Sequence, residues 1–168
     1  MKDRHHRKCI LFDWGNTLMR DFKEYSGPMK DWPRVEAVPG ALDVLAALNP
    51  GWILCLATNA DASGEADIRV ALRRVDLDRW LEKIYCSRNI GLQKPSLGFF
   101  ACILSDLGLP PEQVIMVGDN YEVDILSAAN CGMHAIWFNE LDGENRTGDR
   151  IHTIHRLVEL PSIVKEWG

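Results

Sequence analysis

VIMVGDNYEVDILSAANCGM, residues Val114–Met133, is the stretch that decides the fold. It begins with an unbroken apolar run, Val114 to Val117, that stops at Gly118-Asp119, the pattern of a buried strand running into a turn. Glu122 to Asn130 follows with helical spacing and halts at Gly132. A strand with no polar alternation must be covered on both faces, which is the condition of a parallel sheet in an α/β protein.

Outward from this unit the same alternation repeats. Upstream, Cys9 to Phe12 is an apolar run ending at Asp13 and Gly15, and Pro39-Gly40 opens a helix over Ala41 to Leu48 that ends at Asn49-Pro50-Gly51. Trp52 to Ala57 reads as a second buried strand stopping at Thr58 and Asn59, Glu65 to Val75 as a helix, and Ile84 to Cys86 as a brief strand. Pro95 to Leu107 reads as a helix with proline in its first turn and Gly108 at its cap. Downstream, Ala135 to Phe138 and Ile151 to Ile154 are strands, and Leu157 to Trp167 closes the chain as a helix. Strands alternating with helices predict a doubly wound parallel sheet in three layers, a Rossmann-like α/β fold formed by residues 1–168 as a single domain.

Composition narrows the function. A net charge of −5 argues against general nucleic-acid binding, and no apolar run reaches the roughly 18 residues that would cross a bilayer. The N-terminus lacks the apolar core of a secretion signal, so a cytoplasmic protein is expected. Cys9, Cys55, Cys86, Cys102 and Cys131 are scattered singly and suit small buried side chains better than zinc or redox chemistry. The basic arm Met1 to Lys8 reads as a flexible, solvated terminus.

Ligands of doubly wound sheets bind beyond the carboxyl ends of the strands. Asp13, Thr58 and Asp119 would all emerge there, with Asp124 close behind. Crowded carboxylates repel one another unless a cation neutralises them, and Mg²⁺, which prefers oxygen ligands and substrate phosphate oxygens, fits better than zinc. A carboxylate beside Mg²⁺ can attack phosphorus, which makes Asp13 the candidate nucleophile. Thr58 with the Asn59 amide, and Lys94, are the groups available to neutralise phosphate oxygens. Taken singly, each has a plainer reading: aspartates cap turns, lysines are solvated, and strand-end threonines bond backbone. Trp14 beside the nucleophile reads as packing, and His134, His152 and His155 as structural or exposed.

FDWGNTL, LATNA, QKPSLGFF and VGDNYEVDILSAANCGM, beginning at Phe12, Leu56, Gln93 and Val117, resemble in order the four motifs of the haloacid dehalogenase-like hydrolase superfamily. The resemblance implies that Asp13 is nucleophile and metal ligand, that Thr58 and Lys94 bind the transferred phosphoryl group, and that Asp119 ligates Mg²⁺. It also implies a metal contact from the Gly15 backbone carbonyl, with Asp124 and Asn120 behind the ligands and Asp124 orienting water on the metal or Lys94. The expected activity is Mg²⁺-dependent phosphate-ester hydrolysis through an aspartyl-phosphate, on a phosphorylated small molecule or macromolecule.

Two departures from that pattern shape the expectation. Most phosphatases of the superfamily carry a second aspartate where this chain has Gly15, a residue that protonates the leaving group and then activates water. Losing a general acid and base costs about 10²- to 10⁴-fold in rate. The gap points away from an ordinary sugar phosphatase, toward a good leaving group, or toward a non-catalytic phosphate- and Mg²⁺-binding domain. The second departure is the lid: neither inter-motif gap has room for a cap domain, and only residues 19–38 remain as a short flap containing Phe22, Tyr25 and Trp32. An open site suits a large substrate, or a lid supplied by a second copy of the chain. Dehalogenation of a small acid, which needs a closed dry pocket, is disfavoured.

Overall fold

The computed structural model describes residues 7–167. Six parallel strands form one sheet in the order β3-β2-β1-β4-β5-β6, where β1 is Cys9–Phe12, β2 Ile53–Thr58, β3 Lys83–Cys86, β4 Val114–Gly118, β5 His134–Phe138 and β6 Ile151–Ile154. The central strands are apolar throughout because both faces are covered. On β1, Ile10 and Phe12 join one buried cluster while Cys9 and Leu11 join the other. The first cluster includes residues of α1 (Ala41–Leu48), α2 (Glu65–Arg73) and the closing helix; the second includes α4 (Leu97–Leu107) and α5 (Ser127–Asn130). The three layers expected from the apolar runs are therefore present, and no helix among the described residues is long and apolar enough to cross a membrane.

The register fixes the functional edge. Phe12 lies level with Leu56 of β2 and with Val117 of β4; β1 ends there, β2 runs on to Thr58 and β4 to Gly118, so Asp13, Thr58 and Asp119 reach the same edge of the sheet. The Asp13 amide continues the ladder by donating to Val117 O at 2.9 Å.

Local differences from the sequence-based boundaries have identifiable causes. Pro95 precedes the helix it was expected to open: α4 starts at Leu97 because the Ser96 side chain accepts the Gly98 amide at 3.2 Å as an N-cap. A one-turn helix, α3 (Ser87–Ile90), was not anticipated. The closing helix is a single 3₁₀ turn, Leu157–Glu159, followed by α6 (Leu160–Glu166). Glu122 to Asn130 is not one α-helix; Tyr121–Leu126 winds as a π-helix before α5. Such wide turns concentrate at functional sites, and this one carries Asp124.

The basic arm falls mainly outside the described residues. Its last two members are anchored: Arg7 donates to the carbonyls of Asn49 and Trp52, and Lys8 Nζ reaches Trp167 O at 2.6 Å. Residues 19–38 form a flap closed at its base, where Met19 bridges Ala37 and Arg20 N donates to Glu36 O at 2.9 Å. Its tip is packed by Tyr25 against Phe22 and Trp32, and no separate cap domain is seen among the described residues.

Candidate active site

The chain brings Asp13, Asp119 and Asp124 together, with one carboxylate oxygen from each lying within 4.8 Å of the others. The first follows β1, the second follows β4, and the third folds back from the π-turn. Lys94, nearly inaccessible, threads between them: its Nζ donates to Asp13 Oδ1 at 2.9 Å, Asp124 Oδ1 at 2.6 Å and Ala57 O at 2.8 Å. Three acceptors use all three ammonium donors.

The electrostatics of this group are dominated by crowded negative charge. Burial, then the neighbouring charge of Asp13, pushes the Asp119 carboxyl up to about 7. Burial and Asp13 likewise raise Asp124 to about 6, with Lys94 pulling the other way. Burial works against the Lys94 ammonium, but the charges of Asp13 and Asp124 outweigh it and hold it above its ordinary value. A single lysine thus leaves three carboxylates under-compensated, and a hard divalent ion among all-oxygen donors fits the deficit.

The remaining expected residues divide into two groups. Thr58, buried at the end of β2, accepts the Ala60 amide at 3.2 Å and keeps its own hydroxyl hydrogen to donate. Gly15 lies in the loop after Asp13, beside the same cavity. Asn59 also lines that cavity, but its side-chain amide is engaged with the lysine: its Nδ2 donates to Lys94 O and its Oδ1 accepts Lys94 N, both at 2.8 Å, so it braces the lysine. Asn120 uses its side chain to cap the π-turn through the Val123 amide at 3.0 Å, while its own amide donates to Asp124 Oδ2 at 3.2 Å.

Three participants were missed. Thr17, fully buried, has its hydroxyl 3.4 Å from both Asp13 Oδ2 and Asp119 Oδ1 and so spans the two carboxylates. It stands four residues after Asp13 in the same tight loop, but a threonine there carries no signal of its own. Gly118 gives Asp124 its space. Asp21 lines the cavity beside Asp13 from the base of the flap, where sequence alone showed only an ordinary surface acid.

That cavity, of about 330 Å³, is walled by Asp13, Trp14, Asp21, Met29, Trp32 and the loop after Thr58. Both indole N–H groups are already engaged, Trp14 with Met19 Sδ at 3.1 Å and Trp32 with Gly27 O at 3.1 Å, so the rings present apolar surface. Among the described residues the histidines lie away from the cavity: His134 stacks on Trp167 with ring centres 4.5 Å apart, His152 packs edge-on to the same ring, and His155 bonds Asn139 O.

Comparison with known proteins places the chain in a family. Residues 6–138 match the family described as haloacid dehalogenase-like hydrolase. A glyceraldehyde 3-phosphate phosphatase of Pyrococcus furiosus is 30% identical over 134 residues, covering 76% of this chain and 53% of that protein. The pyrimidine 5'-nucleotidase YjjG of Escherichia coli is 29% identical over 128 residues, covering 73% of this chain and 56% of that one. The chain therefore spans about half the length of these curated relatives. A solved structure, a HAD phosphatase from Thermococcus onnurineus, superposes with a TM-score of 0.75 at 18% identity, covering 94% of this chain and 97% of that one, which shows a shared fold.

Proposed function

This chain belongs to the haloacid dehalogenase-like hydrolase family, and from that premise we propose that it hydrolyses a phosphomonoester in a Mg²⁺-dependent reaction through an aspartyl-phosphate on Asp13. The observation that carries the reading is the meeting of Asp13, Asp119 and Asp124 within 4.8 Å around the buried Lys94 ammonium. The names of the relatives, a glyceraldehyde 3-phosphate phosphatase and a pyrimidine 5'-nucleotidase, support a phosphate ester as substrate.

Asp13 and Asp119 would hold the metal with the Gly15 carbonyl, and the bound ion would supply the positive charge that phosphoryl transfer requires. Asp13 bonds to phosphorus through a carboxylate oxygen. The Thr58 hydroxyl donates to a phosphoryl oxygen, and the Lys94 ammonium, already against Asp13, shares its charge with the incoming group. Asp124 keeps Lys94 aimed and charged, Asn59 fixes its backbone, and Thr17 holds the Asp13 and Asp119 carboxylates in mutual register. The leaving group occupies the cavity between Trp14, Met29 and Trp32, whose volume suits a small ester.

Phosphate release from acetyl phosphate and p-nitrophenyl phosphate, with and without Mg²⁺, tests this. Turnover that needs Mg²⁺ and disappears in Asp13→Asn is expected. The glycine at position 15 favours a second reading, a domain that binds phosphate and Mg²⁺ without catalysis; it would show Mg²⁺ binding but no release from either compound.

A further inference from the structure

Transfer of a phosphoryl group from an alcohol to Asp13 leaves an alkoxide whose departure needs a proton, and hydrolysis of the acyl phosphate needs a base to take one from water. Asp119 and Asp124 are committed to the charge cluster. Among the described residues lining the cavity the other carboxylates are Asp21 and Asp61, and Asp61 is the more exposed of the two.

Asp21 occupies a particular place. Gly15 is not in the left-handed region, so its backbone does not demand glycine. A Cβ added to it would instead meet Asp21, lying 3.3 Å from Asp21 Cβ, 3.7 Å from its Cγ and 3.9 Å from its Oδ2. The Asp21 side chain thus fills the space into which a residue at position 15 would project. It is half-buried and held from several sides. The Asn16 side chain accepts the Asp21 amide at 3.1 Å, the adjoining Arg20 amide bonds Glu36 O, and Lys23 Nζ meets Oδ2 at 2.6 Å.

We propose that Asp21 is the proton donor and acceptor for phosphoryl transfer at Asp13, reaching from the flap base into the position left open by Gly15. The proposal rests on the phosphohydrolase reading above. As the bond from Asp13 to phosphorus forms and the ester P–O bond breaks, the Asp21 carboxyl proton passes to the departing oxygen and the alcohol leaves. The Asp21 carboxylate then takes a proton from water as that water's oxygen bonds to phosphorus. The bond from Asp13 to phosphorus breaks, inorganic phosphate departs, and both side chains return to their starting forms.

The test compares leaving groups at saturating Mg²⁺. Acetyl phosphate needs little help from an acid, whereas glycerol 3-phosphate, an alkyl ester, needs much. Asp21→Asn is expected to lower kcat/KM for the alkyl ester by about 10²-fold or more and far less for acetyl phosphate. Acid-quenched protein should also retain more acyl phosphate on Asp13 than wild type. Gly15→Asp placed in an Asp21→Ala background, where the side chain occupying that space is cut back to its Cβ, should raise the alkyl-ester rate at least tenfold over Asp21→Ala alone. Equal losses on both substrates, or none, would overturn the proposal while leaving the phosphohydrolase reading intact. Absence of turnover by the wild type would overturn both. Should Asp21→Asn fail to fold, Asp21→Glu, which retains the acid but displaces it, must show the same selective loss on the alkyl ester for the proposal to stand.

Discussion

Gly118 and Asp124 are packed so closely that a side chain on the glycine has no room: a Cβ there would lie 2.3 Å from Asp124 Oδ2 and 2.6 Å from its Cβ. The bare backbone at the end of β4 lets Asp124 fold back from the π-turn, take the Asn120 amide on one oxygen and Lys94 on the other. Gly118→Ala must therefore drive Asp124 away from Lys94. Overpacking alone costs about 1–3 kcal/mol, and the displaced carboxylate would also weaken the proposed Mg²⁺ site. Denaturant unfolding should register the lost stability and calorimetric titration a weaker Mg²⁺ affinity. A variant matching wild type in both would show that Asp124 has freedom the packing denies.

Lys94 offers a sharper test of the charge cluster. Lys94→Met keeps much of the side chain's bulk but leaves Asp13 and buried Asp124 without their cation. Removing one partner of a buried pair costs about 3–5 kcal/mol. The loss, measured by chemical denaturation without metal, should shrink as pH is lowered, beginning above about 6, because Asp124, raised to about 6 even with Lys94 pulling it down, takes a proton more readily once the lysine is gone. A loss independent of pH would mean the lysine stabilises by packing alone.

The contrast between these residues shows what sequence could reveal. The strands were legible because full burial writes itself as unbroken apolar runs, and Asp13, Thr58 and Asp119 because each follows such a run directly. Lys94 was legible as a candidate cation but not as a buried one, since burial of a lysine is decided by distant carboxylates. Thr17, Asp21 and the bracing role of Asn59 depend on loop geometry, where no periodicity operates. The π-turn was hidden for a related reason: its apolar spacing suits an α-helix, and the pull of Asp124 toward Lys94 and the Asn120 amide is tertiary.

The raised carboxyls also predict how metal-free stability depends on pH. Asp119 at about 7 and Asp124 at about 6 hold protons that the unfolded chain, with ordinary carboxyls near 3.8, has already released. Between about pH 4 and 7 the folded state binds more protons, so these groups' contribution to stability falls as pH rises across that window. Mg²⁺ competes with those same protons, so its stabilising effect grows with pH over the same range. Thermal melts at several pH values, with chelator and with Mg²⁺, should diverge from about pH 5 upward by several degrees. Parallel curves would mean that the ion binds away from Asp119 and Asp124.

The flap tip, finally, is tied to the end of α2 by one side chain. Arg74 donates to Trp32 O at 2.7 Å and Lys30 O at 3.1 Å, pinning the segment whose Met29 and Trp32 wall the cavity. The guanidinium is largely exposed, so Arg74→Ala should cost only about 1 kcal/mol of global stability. Its local effect should be larger, because the polar tie of this segment to α2 is gone and Trp32 keeps only its bond to Gly27 beside its apolar packing. Amide exchange should quicken over residues 27–34 while the flap base at Met19 and Ala37 stays protected. KM for p-nitrophenyl phosphate should rise several-fold with kcat little changed, since Asp13, Thr58 and Lys94 are positioned from the sheet edge and not from the flap. A fall in kcat as large as the rise in KM would instead place the flap tip in the chemical step.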